Sequence, residues 1–317
     1  MPRVALLDDY QDVALRMADW KSVPAGTEVA AFRDHVADAD ELVKRLADFD
    51  AVVAMRERTP FPRALLARLP RLKLLVTTGM RNASIDVAAA TGQGVTVCGT
   101  AGLPYPTAEL TWGLILGLFR RIPAEDRATR QGSWQTTLGL GLNGKTLGVL
   151  GLGGLGSRVA RVAKAFEMDV IAWSPNLTAA RAAEVGAALV SKDELLTRSD
   201  IVTVHLVLGD RSRGLIGARE LAHMKPTAVL VNTSRGPIVD EAALIAALRA
   251  GKLAGAGLDV YDEEPLTSDH PLRNLANTVI TPHLGYVTEE TYRIFYGQAL
   301  EDVQAWLRGA PVRVLKS

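Results

Sequence analysis

Cysteine is almost missing from this sequence: Cys98 is the only one in 317 residues. A single thiol excludes an internal disulfide and cannot build a thiolate metal site alone. Cys98 is expected to be a small buried hydrophobe at the end of a strand. An excess of charge is missing too. Thirty-six Lys and Arg against 35 Asp and Glu leave +1 with the histidines neutral. No Lys/Arg cluster marks a nucleic-acid face. Long apolar runs are absent as well. The longest, Leu110 to Phe119, contains Thr111 and is bounded by Glu109 and Arg120-Arg121. As a helix it would rise about 15 Å, half the hydrocarbon core of a bilayer, so it is expected to be a buried helix. At the N-terminus, Met1-Pro2-Arg3 runs through Val4–Leu7 straight into Asp8-Asp9, too short and too acidic for a signal-peptide core. Neither nucleic acid nor a membrane is an expected partner, no metal is expected, and the cytoplasm is the expected compartment.

What is present is enough to fold. Apolar residues make up 48% and charged residues 22%, which supports a buried core and excludes global disorder. The length suggests two domains. Short apolar runs at Val4–Leu7, Val29–Ala31, Ala51–Met55, Leu72–Val76 and Val95–Val97 read as buried strands. They alternate with amphipathic stretches at Asp40–Ala47, Pro62–Leu69 and Ile85–Thr91, where Pro62 suits a first helical turn. A second series begins after Leu142-Asn143-Gly144-Lys145. Its strands are expected at Thr146–Leu150, Val170–Trp173, Ile201–Val204, Ala228–Asn232, Gly255–Asp259 and Val279–Thr281. Helical patterns between them include Leu155–Phe166, Ala179–Val185 and Glu241–Arg249. This alternation predicts an α/β protein with parallel strands joined by helical crossovers. The segment Gly99 to Pro106 is the candidate hinge, and Thr288 to Leu307 reads as a final amphipathic helix.

The sharpest local signal is Gly151-Leu152-Gly153-Gly154-Leu155-Gly156, set between an apolar strand and a helix. Gly151 permits a tight turn, Gly153 lets backbone approach a pyrophosphate, and Gly156 lets helix and strand pack closely. The helix N-terminus, with Gly154 and Leu155, offers free N–H groups to the phosphates. The next strand ends Trp173-Ser174-Pro175-Asn176. A carboxylate there would bind the adenosine ribose and repel a 2′-phosphate. Ser174 stands in its place, eighteen residues after Gly156, and Arg181 is the nearest cation downstream. NAD and NADP are therefore equally expected.

Three polar clusters follow later strands, where open α/β sheets place their ligands. They are Asn232-Thr233-Ser234-Arg235-Gly236, Asp259 to Pro265, and Thr281-Pro282-His283-Leu284-Gly285. Oxidising a secondary alcohol by hydride transfer needs a base for the hydroxyl proton, and imidazole suits neutral pH. A neighbouring carboxylate would fix its tautomer and favour its protonated form. Arginine's planar fork matches a substrate carboxylate. One Arg, one acid and one His make a sufficient set, although each residue alone has a bland surface or packing reading.

In order and spacing, these motifs resemble the D-isomer-specific 2-hydroxyacid dehydrogenase family, which includes phosphoglycerate and glyoxylate/hydroxypyruvate enzymes. The matching stretches are Thr107-Ala108-Glu109-Leu110, Gly144-Lys145-Thr146-Leu147-Gly148, the glycine turn, Asn232 to Gly236, Asp259-Val260 with Glu264-Pro265, and Thr281-Pro282-His283. The resemblance implies transfer of a hydride between NAD(P) and a small 2-hydroxy or 2-keto acid. It implies Arg235 as holder of the substrate carboxylate and carbonyl, His283 as acid/base, and Glu264 as its partner. Thr233 and Asp259 would join Gly151, Gly153, Gly154, Leu155, Gly156 and Ser174 at the cofactor, with Asp259 on the carboxamide. Gly79 and Met80 would face the substrate together with Arg235. The implied fold has two doubly wound parallel-sheet domains: a Rossmann cofactor domain, residues 103–286, inserted in a flavodoxin-like substrate domain, residues 1–102 and 287–317. The site would lie in the cleft between them, and a homodimer is implied.

The chain departs from the family pattern at Met80-Arg81 and Tyr286, where relatives often carry small residues. It ends at Ser317, so the extra regulatory domain of some phosphoglycerate dehydrogenases, and serine-pathway regulation with it, is not expected. Two rival readings are a formate or phosphite dehydrogenase on the same scaffold and a dinucleotide-sensing, co-repressor-like binding protein.

Overall fold

The computed structural model describes residues 1–316; Ser317, the last residue of the expected substrate-domain segment, lies outside the described residues. The chain divides into two compact units. Unit 1 comprises Met1–Leu103 and the chain from Thr288 onward, and unit 2 comprises Pro104–Val287.

Unit 1 begins with β1 (Arg3–Leu6), β2 (Glu28–Ala31), β3 (Ala51–Ala54), β4 (Leu74–Thr77) and β5 (Thr96–Gly99). They form one parallel sheet in the order β2-β1-β3-β4-β5, the order of a flavodoxin-like sheet. Every residue of β3 and β4 is buried, as a parallel sheet covered on both faces requires. The crossovers carry α1 (Ala14–Met17), α2 (Ala39–Leu46), α3 (Arg63–Leu66) and α4 (Val87–Gly92). Leu42, Leu46, Leu65 and Leu66 meet Ala5, Val52 and Leu75 in one core, each such leucine contributing about 2 kcal/mol of burial. Pro62 stands just before α3 rather than in its first turn, because its ψ of 162° is extended.

Unit 2 contributes β6 (Thr146–Leu150), β7 (Asp169–Trp173), β8 (Ala188–Leu189), β9 (Ile201–Val204), β10 (Val229–Asn232), β11 (Gly255–Leu258) and β12 (Thr278–Ile280). Their order is β12-β11-β10-β9-β6-β7-β8, with all neighbours parallel. From β6 the chain moves outward through β7 and β8, then returns to the other side at β9. The carboxyl ends of β6 and β9 therefore flank a topological switch point, where open α/β sheets hold ligands. The helices are α5 (Pro106–Phe119), α6 (Ile122–Arg130), α7 (Gly154–Ala165), α8 (Ala179–Ala183), α9 (Lys192–Arg198), α10 (Ala218–His223) and α11 (Glu241–Arg249). Trp112, Ile115 and Leu118 of α5 pack with Val159 of α7 over one sheet face. Leu195, Leu221 and Leu244 of α9, α10 and α11 cover the other. Two elements give no sequence signal. Helix α6 buries none of its residues and so has no apolar stripe, and both residues of β8 are exposed.

The last helix, α12 (Glu289–Leu307), belongs to unit 1. Thr288 caps it by accepting from the Thr291 N–H. Tyr292, Phe295, Tyr296 and Val303 are buried where it packs on β4 and α1. Beyond it, the Leu315 N–H donates to Val97 O at 2.8 Å and Val314 bridges Cys98, which extends the sheet past β5. Cys98 is buried in that strand, and burial pushes its thiol up to about 12. No helix among the described residues is long and apolar enough to cross a membrane.

Glu220 is a buried ionic anchor of unit 2. It accepts from Lys192 Nζ at 2.9 Å and from the Gly217 N–H at 3.2 Å. Burial alone would push its carboxyl up, but Lys192, the local backbone and Arg219 together bring it down from 4.5 to about 2. That depression corresponds to at most about 3 kcal/mol, fully present above the unfolded value and lost as pH falls from there toward 2. Glu220→Gln is therefore expected to destabilise unit 2 by about 2 kcal/mol at neutral pH. The gap from wild type should close in acid. Urea unfolding at neutral pH and at about pH 3 checks both parts, and a gap that widens in acid would contradict the assignment.

Candidate active site

The glycine turn closes β6 at the switch point. Gly151 has φ +98°, and a Cβ there would lie 2.7 Å from His205 O, so the turn presses on the end of β9. At Gly156 a Cβ would lie 2.1 Å from Gly151 O, which is why helix and turn can pack only without a side chain there. Gly153 and Gly154 differ. A Cβ at either would meet nothing within 4 Å, and the N-terminus of α7 has no side-chain cap. The helix thus begins beside open space at Gly153 and Gly154. His205, at the end of β9, lies 2.9 Å from Thr203 Oγ1 through its Nε2, and burial holds its imidazole down to about 4, leaving it neutral at pH 7.

Beyond β10, Asn232 shapes the next loop. Its Oδ1 accepts from the Ser234 N–H at 3.0 Å and its Nδ2 donates to Arg235 O at 2.9 Å. Ser234 Oγ donates to Leu206 O, and Arg235 Nη1 donates to Ser234 O at 2.7 Å. Gly236 then lies against the following loop: a Cβ would fall 2.0 Å from both Tyr261 C and O. The loop that carries the half-buried Arg235 is thereby seated, at Gly236, against the segment that carries Glu264.

That segment is tied to the last one through Tyr261. The Tyr261 N–H donates to Glu264 Oε1 at 3.0 Å, and its hydroxyl donates to Thr281 O at 2.8 Å. The other oxygen, Glu264 Oε2, stands 2.6 Å from His283 Nδ1. With Nδ1–H donating a hydrogen bond to the carboxylate, Nε2 is the nitrogen left to exchange a proton. His283 itself has φ +55°, a left-handed conformation that costs a non-glycine residue about 1–2 kcal/mol. Asp259 holds it there. Its Oδ1 accepts from Thr281 Oγ1 at 2.6 Å and the Leu284 N–H at 2.7 Å, and its Oδ2 accepts from the Gly285 N–H at 2.8 Å. Burial pushes the Asp259 carboxyl above its ordinary range despite these donors. The Tyr286 ring meets the imidazole edge-on, with centroids 5.4 Å apart.

The chain belongs to the D-isomer specific 2-hydroxyacid dehydrogenase family. The model of that family's NAD binding domain matches residues 112–285, more than half of the chain. Glyoxylate reductase from Aeropyrum pernix is 44% identical over 255 residues, which cover 77% of this chain and 76% of that one. D-3-phosphoglycerate dehydrogenase from Archaeoglobus fulgidus is 39% identical over 278 residues, covering 86% of this chain and 52% of its own. The chain therefore spans about half the length of that relative. The crystal structure of a phosphoglycerate oxidoreductase from Vibrio cholerae O395 superposes with a TM-score of 0.93 at 38% identity, covering 98% of this chain and 100% of that one.

Within this dehydrogenase fold the cofactor is a nicotinamide dinucleotide. The residues fit one: an uncapped helix N-terminus beside two glycines with open space is a phosphate cradle. Ser174 follows β7 and its carbonyl accepts from the Leu177 N–H at 3.2 Å in a turn. Arg181 is ion-paired with Glu184. Thr233 is buried, with its hydroxyl 2.8 Å from that of Thr111. Gly79 and Met80 lie in unit 1, after β4. Gly79 has φ +104° and its N–H donates to Thr100 Oγ1 at 2.9 Å, while Met80 is 49% exposed. Among the described residues no group of three or more His, Cys, Asp or Glu side chains could hold a metal ion.

Sequence reasoning gave no role to Tyr261, Thr281 or Thr111, and named Thr107 only as part of a motif. Thr281 and Tyr261 are neighbours of residues that were singled out. The i, i+4 spacing of Thr107 and Thr111 on one helix was the available signal for the other two.

Proposed function

We propose that the protein is a D-isomer-specific 2-keto-acid reductase, reversible as a 2-hydroxyacid dehydrogenase, acting on a small substrate with NADH or NADPH. The observation that carries this reading is the 2.6 Å contact between Glu264 Oε2 and His283 Nδ1 at the carboxyl ends of adjacent strands β11 and β12. When bound, the nicotinamide supplies the hydride that C2 of the keto acid receives. Arg235 pairs with the substrate carboxylate and orients its carbonyl. His283 Nε2 gives a proton to the carbonyl oxygen, or takes it from the hydroxyl in the reverse direction, while Glu264 holds Nδ1. Asp259 keeps the His283 loop in shape, and Gly151, Gly153, Gly154, Leu155 and Gly156 cradle the phosphates. Gly79 and Met80 keep the substrate-binding role that family resemblance gives them.

The test is a panel of glyoxylate, hydroxypyruvate, pyruvate and bulkier 2-keto acids with each coenzyme, following nicotinamide oxidation and the configuration of the product. Turnover of at least one acid to its D-hydroxy product is expected. Dinucleotide binding without turnover of any acid would overturn the reading in favour of a sensor, which the dehydrogenase relatives do not favour.

For the coenzyme, NADH and NADPH should support rates within about tenfold of each other, because no carboxylate at Ser174 repels the 2′-phosphate. Ser174→Asp should raise the NADH-over-NADPH preference in kcat/KM by about tenfold or more; an unchanged ratio would remove Ser174 from the coenzyme site. The working state is proposed to be a homodimer, as the family resemblance implies. Light scattering decides it. The proposed compartment is the cytoplasm, where a lone thiol such as Cys98 stays reduced.

A further inference from the structure

The motif Thr107-Ala108-Glu109-Leu110 has no part in the chemistry described so far, yet it opens α5 beside two of the active-site loops. Thr107 Oγ1 donates to Gly285 O at 2.9 Å. The contact is close: a Cβ on Gly285 would lie 3.0 Å from that same oxygen and 3.1 Å from Thr107 Cγ2. One turn later, the buried Thr111 Oγ1 donates to Thr107 O at 2.7 Å and lies 2.8 Å from Thr233 Oγ1. We propose that Thr107 and Thr111 are positioning residues that fasten the His283 loop and the Arg235 loop to one rigid helix, and that fix the Thr233 hydroxyl as a hydrogen-bond acceptor toward the dinucleotide.

The second half follows from counting protons. A threonine hydroxyl carries one hydrogen and two lone pairs. Thr111 gives its hydrogen to Thr107 O, the usual back-bond of a helical threonine. The bond between Thr111 and Thr233 must then use the hydrogen of Thr233. The relay runs in one direction, from the Thr233 hydroxyl to the Thr111 hydroxyl to Thr107 O. Thr233 is left with lone pairs only, so it presents itself to N–H or O–H donors of the ligand, such as a carboxamide nitrogen or a ribose hydroxyl, and not to phosphate or carbonyl oxygens. The first half follows from rigidity. Helix α5 is buried along most of its length, including Trp112, Leu114, Ile115 and Leu118. Its first turns therefore form a fixed reference for loops that follow β10 and β12. Gly285 lies two residues beyond His283, and Thr233 two residues before Arg235, so each bond acts close to the residue it positions.

The inference rests on the reductase reading, and the experiment separates the two. Thr111→Val keeps shape and removes the hydroxyl; Thr111→Ser keeps the hydroxyl. Thr111→Val is expected to raise the NADH dissociation constant, read by fluorescence, about fivefold, the equivalent of one neutral hydrogen bond. Thr111→Ser should restore it to within about twofold. Thr107→Val should instead lower kcat about fivefold with NADH binding nearly unchanged, because it loosens the His283 loop, and Thr107→Ser should restore it. If Thr111→Val does not fold, Thr111→Ala takes its place against Thr111→Ser. A merely structural threonine would lower thermal stability without this split between binding and turnover, or without rescue by serine. Either outcome overturns the proposal. If wild type turns over no keto acid, the reductase reading falls, and the NADH-binding arm still decides the role of Thr111.

Discussion

His283→Asn is expected to lower kcat/KM for 2-keto-acid reduction by about a hundredfold or more, the scale of losing a general acid. Dinucleotide affinity should change by less than about threefold, since the phosphate cradle at Gly151–Gly156 is built without the imidazole. Asparagine is the informative replacement because it tolerates the left-handed backbone better than most residues. Position 283 has φ +55°, and Asp259 holds it through the Leu284 and Gly285 amides. The variant should therefore stay folded while nearly inactive. Turnover by absorbance and unfolding by denaturant check the two halves. A variant that keeps wild-type turnover on every accepted substrate would remove His283 from the chemistry.

Arg235→Lys should cost about a hundredfold in kcat/KM for the keto acid, although the charge is kept. A guanidinium presents two parallel donors to a carboxylate, and an ammonium is a point charge. The loop geometry sharpens the expectation. The Asn232 side chain pins both Ser234 N–H and Arg235 O, and Gly236 admits no side chain against Tyr261. The backbone cannot shift to let a lysine find its own geometry. Arg235→Ala should lose more, again with dinucleotide binding nearly intact. A lysine variant with unchanged KM and kcat would show that Arg235 does not grip the substrate.

The fold was legible where burial on both faces leaves a continuous apolar run. Runs such as Ala51–Ala54 and Ile201–Val204 are buried along their whole length and read directly as parallel strands. The glycine turn was legible because positive φ at Gly151 and the 2.1 Å approach at Gly156 demand glycine and nothing else. Helix α6 was not, since a helix that buries nothing leaves no apolar stripe. Chemistry-bearing residue types were readable at the ends of β10, β11 and β12. The contacts that join them were not: Glu264 meets His283 nineteen positions away, and Thr111 meets Thr233 across 122. Only the order of motifs, not any local pattern, suggested pairing the first two. Of the hydroxyl relay, only the i, i+4 spacing of Thr107 and Thr111 shows in sequence; the contact of Thr111 with Thr233 does not, because a helical threonine carries no signal of a partner 122 positions away. Asp259 illustrates the same gap. Resemblance implies a place for it at the nicotinamide carboxamide, and no pattern in the sequence shows the three hydrogen bonds by which it also shapes the His283 loop.

The central claim is that Glu264 and His283 act as one acid–base unit, and a double-mutant cycle tests it most directly. Glutamine at 264 should lower kcat/KM for the best keto acid by about tenfold or more in the wild-type background. In the His283→Asn background the same change should have almost no effect, because no imidazole is left to orient. Equal losses in both backgrounds, or none in either, would contradict the account.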